Sequence, residues 1–287
     1  MVSYKRIYLG SSCNNSCLYC IEKSKDAYPD MPDVQDNLVQ SDTLDSVELY
    51  GGEPTTRKDI FSIVDEARNS GYKRIKIVTN ARTCSDINTA VRLIEYGCHH
   101  YEIKLHHSRP DLHDYVTQVK GSLQETVQGL ANLRRINSFH QEAFSAFISL
   151  RISLSRQNYQ DIDSILLAFI PYRIDRYILS LDDSDLELSK ALPHIQNAIN
   201  LAILNRTWIT TQKIPFCTMR GFEHHVSEVY HSHDNTYRKP GICNGCPMDE
   251  LCPGLHDSYS GIDGVDALKP LQGNDQMIED IRNLANE

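Results

Sequence analysis

No window of about 18 consecutive apolar residues occurs in the 287-residue chain, so the sequence holds no candidate transmembrane helix. Basic residues are in deficit: 29 Lys and Arg stand against 38 Asp and Glu, a formal net charge of −9, and no basic run appears. That balance disfavours a nucleic-acid backbone as a partner. The first residues, Met1 to Arg6, lack the apolar core of a secretory signal and lead straight into a strand-like run. The chain is therefore expected to be cytoplasmic, with no membrane partner. No internal repeat is detectable. In a cytoplasmic chain the nine cysteines argue for metal binding or catalysis rather than disulfides. What remains, 40% hydrophobic and 23% charged, is the composition of an ordinary globular protein, long enough for one large domain with an appendage.

Three of the cysteines lie within one short stretch, Cys13-Asn14-Asn15-Ser16-Cys17-Leu18-Tyr19-Cys20, with no fourth following. A structural zinc site wants four protein ligands. A [4Fe–4S] cubane on three thiolates would instead leave one iron open to a small molecule. The spacing by itself also fits a zinc knuckle or redox thiols lacking a partner. About 30 residues on, a strand-like run ends in Gly51-Gly52-Glu53-Pro54. Glycines let backbone carbonyls approach a ligand closely, and an acceptor-rich loop suits an ammonium group.

Strand-like segments at 4–10, 46–50, 74–79, 100–106, 146–154 and 177–181 alternate with helical patterns at 58–70, 86–96, 123–137 and 160–169. Residues 23–43 read as loop with one helical turn, and 107–122 as a connection. The alternation predicts an α/β fold of parallel strands, either an open doubly wound sheet or a curved barrel. In both, loops at the C-terminal strand ends build the site, and both motifs fall there. Period-2 alternation puts Glu102, Lys104 and His106 of strand four, and Ser149, Arg151 and Ser153 of strand five, on the polar inner face, with Asn80 at the exit of strand three. Ser180 and Asp182 of strand six would also face inward. A buried Arg151 needs an anion, either a bound carboxylate or an acid such as Glu102.

From residue 186 the rhythm changes to a long helical stretch reaching Asn205, then a strand at Trp208–Ile214. The predicted boundary lies near 207, separating residues 1–206 from a second domain at 207–287 with an acidic tail and a terminal helix at 275–285. That second part carries Cys217, Cys243, Cys246 and Cys252, spaced C-x25-C-x2-C-x5-C. Four thiolates satisfy either a structural zinc or a fully ligated [4Fe–4S] cluster. His224, His225, His231 and His233 read as a solvated loop. Cys84 and Cys98 are left over, and Cys84 lies just past strand three on the site face.

The C-x3-C-x2-C run with Tyr19 before its last cysteine, followed by Gly51-Gly52-Glu53, resembles the signature of the radical S-adenosylmethionine (radical SAM) superfamily. The resemblance implies a partial (β/α)6 TIM-like barrel and a [4Fe–4S] cluster on Cys13, Cys17 and Cys20. S-adenosylmethionine would be oriented by Gly51, Gly52 and Glu53, with Arg151 as a carboxylate or ribose contact and Asn158, just after strand five, as a nucleotide contact; Asn80 and Lys104 from the strand alternation are further cofactor-binding candidates. It implies reductive cleavage to a 5′-deoxyadenosyl radical, hydrogen-atom abstraction from an organic substrate, and an external one-electron donor of flavodoxin or ferredoxin type. The Cys243–Cys252 spacing resembles the SPASM or twitch pattern, with His256 where SPASM continues in cysteine, and implies one auxiliary [4Fe–4S] cluster. Cys84 is the candidate thiol hydrogen donor should the reaction be an epimerisation; oxidation and cyclisation are the other types.

Two substrate classes stand open. His113-Asp114-Tyr115-Val116, Gly121-Ser122-Leu123 and Gly129-Leu130-Ala131-Asn132-Leu133 resemble radical maturases of ribosomal peptides of the His-Xaa-Ser type. The lack of room for an N-terminal peptide-recognition domain points instead to a small metabolite such as a sugar or nucleotide. A non-catalytic iron–sulfur or zinc sensor or scaffold is the alternative outside enzymology.

Overall fold

The computed structural model describes residues 4–20, 22, 28–39, 44–139, 146–183, 185–227, 236–249, 252–257, 268–269 and 279. Seven strands run in one sheet in chain order: β1 (Lys5–Tyr8), β2 (Ser46–Tyr50), β3 (Arg74–Thr79), β4 (Cys98–Leu105), β5 (Phe147–Leu154), β6 (Arg176–Leu181) and β7 (Ile209–Gln212). The sheet is parallel, with in-register pairs such as Ile7 with Leu49, Leu49 with Ile77 and Ile178 with Thr210. Parallel strands need crossovers, and helices supply them. The result is the expected α/β class, consistent with a partial TIM-like barrel. The sheet has a seventh strand beyond the six expected: Trp208–Ile214, expected in the appendage, supplies β7, which pairs with β6.

The helices form where their apolar stripes and caps dictate. Helix α2 (Ile60–Asn69) buries Ile60, Ile63, Val64 and Ala67. Helix α3 (Ile87–Tyr96) begins at Asp86, whose carboxylate accepts from Asn88 N, and stops at Gly97 in the left-handed region. Two helices fall in stretches expected as a loop with one helical turn (23–43) and as a connection (107–122). Helix α1 (Met31–Leu38) has Asp30 as its cap and Pro32 in its first turn. Helix α4 (Pro110–Thr117) opens on a proline. Helix α5 (Ser122–Phe139) is started by Asp114 of α4, whose carboxylate accepts from Gly121 N, Ser122 Oγ and Leu123 N at 2.6, 2.8 and 3.0 Å. The His113–Leu123 motif thus has a local structural job: it turns α4 into α5. Helices α6 (Ile162–Phe169) and α7 (Leu188–Leu204) follow. Strands β8 (Tyr237–Arg238) and β9 (Leu255–His256) make a small antiparallel pair. No helix among the described residues is long and apolar enough to cross a membrane. The terminal helix expected at 275–285 lies outside the described residues but for position 279.

Residues 2–151 with 169–175 form one compact unit, and 152–168 with 176–287 a second. The division falls inside β5 rather than near 207. The reason is that β7 pairs with β6 across position 207, from Tyr177 with Ile209 to Ser180 with Gln212, and is tied in turn to the segment after it: Thr211 bridges Val226, Ser227 Oγ donates to Thr211 O at 2.7 Å, and His225 Nδ1 meets Ile209 O at 2.8 Å. His225 is thus anchored, not free in a solvated loop; His231 and His233 lie outside the described residues.

The inner face of the first unit carries a ladder of alternating charge, one residue per strand. Arg6 of β1 donates to Glu48 of β2 at 2.9 Å. Lys76 of β3 pairs with Glu48 and, at 3.0 Å, with Glu102 of β4. Arg151 of β5 grips Glu102 through Nε at 2.6 Å and through a terminal nitrogen at 2.5 Å. Below it a polar chain runs from Tyr4 OH to His100 Nδ1 (2.8 Å), and from His100 Nε2 to Ser149 Oγ (3.1 Å). Burial pushes the Glu48 carboxyl up, yet Lys76 and Arg6 outweigh it and hold it below the ordinary range. Lys76 is raised for the mirror reason, burial lowering it and Glu102 with Glu48 prevailing.

Glu102 is 1% exposed and neutralises two cations. Glu102→Ala should therefore cost about 3–5 kcal/mol in urea unfolding, because it strands buried charge. The depressed Glu48 carboxyl adds a sign: its contribution is fully present above the unfolded-state value of about 4.3 and is lost as pH falls through the lower folded value. Urea midpoints measured at falling pH should show that loss in the native chain and less of it in Glu48→Gln.

Candidate metal centre

The cysteine loop leaves β1 and is sewn to its neighbours by backbone bonds. Leu9 N donates to Tyr50 O at the end of β2 (2.7 Å). Gly52 N and Glu53 N donate to Gly10 O and Ser12 O, each at 2.7 Å. Gly51 sits at φ 148°, and a Cβ there would overlap the Gly10 carbonyl; a Cβ on Gly52 would overlap those of Ser11 and Ser12. Both glycines are therefore required by the close approach of chain to chain. On the far side Ser16 N and Leu18 N donate to Thr117 O and Val116 O of α4, both at 2.9 Å. Arg57, 5% exposed, donates to Leu9 O (3.0 Å) and Pro29 O (2.9 Å), bracketing the loop's two ends.

Glu53 is 2% exposed and faces inward. One carboxylate oxygen accepts from Thr55 N (3.1 Å), the Thr55 hydroxyl and Thr79 Oγ1 (2.7 Å); the other accepts from Asn80 N at 2.6 Å. The carboxylate thus joins the loop after β2 to the exit of β3. Asn80 passes the connection on: its Nδ2 donates to Asn14 Oδ1 at 2.7 Å and lies 3.9 Å from Cys13 Sγ.

Cys13 is exposed, and Cys17 and Cys20 are half-buried. Burial is the first cause raising the Cys13 and Cys17 thiols, the latter to about 11, and the field of neighbouring cysteines adds to it. Thiols raised as Cys13 and Cys17 are ionise readily only beside a cation, which is the condition a metal centre meets. Lys104, half-buried, acts the opposite way and lowers both. The donor set fits a thiolate-bound iron–sulfur cluster with one position left to a small ligand.

Other predicted residues fall elsewhere. Arg151 does not wait for a bound carboxylate: Glu102 occupies its guanidinium, so the internal acid is its observed partner. Cys84 is 0% exposed, in a turn (Thr83–Ser85) against Gly129 of α5, and burial raises its thiol strongly. Sealed behind the strand exit, it is not on the open face expected of a hydrogen donor. Asn158 is internal, its side chain accepting from Ser155 N and donating to Ser153 O, each at 2.8 Å. Asp182 accepts from Ser180 Oγ at 3.0 Å and Lys213 at 2.8 Å. The His106 ring lies tilted, 5.6 Å from that of His113, which burial holds at about 3 and hence neutral.

The second unit brings Cys217, Cys243, Cys246 and Cys252 around one pocket of about 390 Å³, part of it open to solvent and shared with Phe216, Met248 and Leu268. Burial first, then the other cysteines, raises Cys217 to about 11. Backbone N–H groups point at the sulfurs, that of Lys269 at Cys217 and those of Gly254 and Phe216 at Cys252. His256 does not line this pocket; its ring packs edge-on against Tyr237 at 4.9 Å. Among the described residues no three His, Cys, Asp or Glu side chains stand close enough to hold a single metal ion.

Composition did not flag Arg57, Thr79 or Arg82 as site residues. For Arg82 a faint signal existed, a basic residue two places after the polar exit of an inner strand.

Comparison with known proteins bears on the same residues. The model of the Radical SAM superfamily matches residues 7–169. A GTP 3′,8-cyclase of Peptoclostridium acidaminophilum is 27% identical over 202 residues, 63% of this chain and 59% of that protein. An Fe-coproporphyrin III synthase of Methanosarcina barkeri is 28% identical over 159 residues, 53% of this chain and 37% of that one. The chain thus spans less than two thirds of these relatives' own length. Among solved structures, Streptococcus suis SuiB bound to S-adenosylmethionine superposes with a TM-score of 0.57 at 18% identity, covering 80% of this chain and 50% of SuiB. At that identity the likeness concerns the fold.

Two substitutions test the seam between the loops. Gly52→Ala should lower iron retention at the cysteine loop about tenfold, read by chelator challenge, because the loop must move off its neighbour. Glu53→Gln should cost about 1–3 kcal/mol in chemical denaturation, because an amide nitrogen replaces an acceptor facing buried donors.

Proposed function

Because the chain belongs to the radical SAM superfamily, we propose that it is an enzyme that cleaves S-adenosylmethionine reductively and abstracts a hydrogen atom from an organic substrate. Cys13, Cys17 and Cys20 would hold the [4Fe–4S] cluster that the family uses. When bound, that cluster supplies the electron that splits the sulfonium into methionine and a 5′-deoxyadenosyl radical. The observation that carries the reading is the seam: a three-thiol loop hydrogen-bonded along its approach to the Gly51–Glu53 loop. Carbonyls of the glycine loop suit the ammonium of the cofactor, and Lys104 suits its carboxylate. Asn80 and Glu53 serve by holding the two loops together rather than by offering free side chains.

For the substrate we favour a small nucleotide-like molecule, supported by the sequence relationship to GTP 3′,8-cyclases. The peptide alternative has behind it the partial motif at His113–Leu133, part of which serves the α4–α5 turn. Cys217, Cys243, Cys246 and Cys252 would bind an auxiliary [4Fe–4S] cluster in a twitch-like appendage. Their shared pocket and the N–H groups aimed at sulfur support this, since such bonds stabilise iron-bound thiolate. A flavodoxin- or ferredoxin-type donor would supply the electron.

Anaerobic reconstitution with a strong reductant should yield 5′-deoxyadenosine from S-adenosylmethionine. The triple change Cys13→Ala, Cys17→Ala and Cys20→Ala should abolish it while iron falls from about eight to about four atoms per chain. A wild-type protein that makes no 5′-deoxyadenosine would overturn the enzyme reading. Deuterium passing from a labelled nucleoside triphosphate into 5′-deoxyadenosine is expected; its absence, with transfer from a peptide, would reverse the substrate choice.

A further inference from the structure

The three residues between Cys13 and Cys17 are held from two flanks. On one, α4 carbonyls accept the amides of Ser16 and, just past Cys17, Leu18. On the other stands Arg82, whose side chain is 10% exposed. One of its terminal nitrogens donates to Asn14 O at 2.5 Å and to Asn15 Oδ1 at 2.7 Å. Its Nε donates to Glu125 Oε2 of α5 at 2.7 Å, and its backbone N to Asn80 Oδ1 at 3.0 Å. Asn15 in turn directs its own N–H at Cys13 Sγ, 3.3 Å away. A single guanidinium therefore spans helix α5, the exit of β3 and the spacer of the cysteine loop.

We infer that Arg82 is a positioning residue for the metal centre, fixing the Cys13–Cys17 spacer in its ligand-ready form and setting the local charge through its pair with Glu125. The inference rests on the reading that Cys13, Cys17 and Cys20 bind a cluster. Geometry favours arginine specifically: a planar fork reaches both loop acceptors and the carboxylate at once, which an ammonium on a flexible stem does not. Partners of this kind alter metal affinity about 10- to 100-fold when removed. A nearby cation also favours the reduced, more negative cluster, so its loss lowers the reduction potential, and the loss of its counter-charge raises it.

The test is a chelator challenge and an EPR-monitored redox titration of reconstituted wild type, Arg82→Gln, Arg82→Lys and Glu125→Gln. The signal that shifts on adding S-adenosylmethionine marks the cluster in question. Iron in the Cys13/Cys17/Cys20 triple alanine variant marks the other site. Arg82→Gln should lose the S-adenosylmethionine-responsive cluster about 10- to 100-fold faster, keep the second iron population, and lower the potential of what remains. Arg82→Lys should restore the potential but only part of the retention, and Glu125→Gln should raise the potential. Equal loss at both sites with an unmoved potential would mark Arg82 as a general fold residue and overturn the inference, as would wild-type retention in Arg82→Gln. A wild type with no S-adenosylmethionine-responsive cluster would instead refute the underlying cluster reading, and this inference with it.

Discussion

The first unit depends on a buried carboxylate. Glu53 is 2% exposed, so its oxygens need protein donors, and they find them on two segments distant in sequence: the turn after β2 and the end of β3. Once those bonds form, the glycine loop can no longer move independently of β3. Its backbone then meets residues 10–12, where only glycine leaves room. The cysteine loop inherits its position from that contact and from α4. A low local dielectric strengthens each bond in such a network and makes each missing one costly, so the arrangement is effectively all-or-none.

Beneath that seam lies the charge ladder Arg6–Glu48–Lys76–Glu102–Arg151. Polar residues inside a parallel sheet are tolerable only when every charge has a counterpart, and here each strand from β1 to β5 contributes one rung. Removing any one rung unbalances its neighbours. The ladder also explains why Arg151 is a poor candidate for cofactor recognition, since freeing it would leave Glu102 short of a cation. Lys104, two residues above Glu102 on the same strand face, is a second cation, beside Arg82, whose charge reaches the cysteine loop.

Much of this was legible in the chain. The spacing of Cys13, Cys17 and Cys20 and of Gly51–Glu53 located both loops of the site, because ligand spacing and glycine content are local properties. Strand alternation identified the inner faces of β4 and β5, since period 2 follows from backbone geometry alone. Less visible were α1 and α4, whose short apolar stripes carry little periodic signal and whose starts are marked only by Pro32 and Pro110. The partner of the seventh strand is not legible in the chain, because nothing in the four residues of β7 encodes which strand lies beside it.

The sequence by itself determined the chemical inventory: two groups of cysteines suited to iron, a glycine loop suited to an ammonium, and alternating β and α segments that allow only a parallel sheet. Tertiary structure decided how that inventory is used. It turned Glu53 inward, gave Arg151 to Glu102, sealed Cys84 behind α5, and brought Arg82 against Asn14 and Asn15 from 68 and 67 residues away. Each outcome is a choice among several possible counter-charges or donors for one side chain. Such choices depend on distances between segments far apart in the chain, which no local pattern encodes.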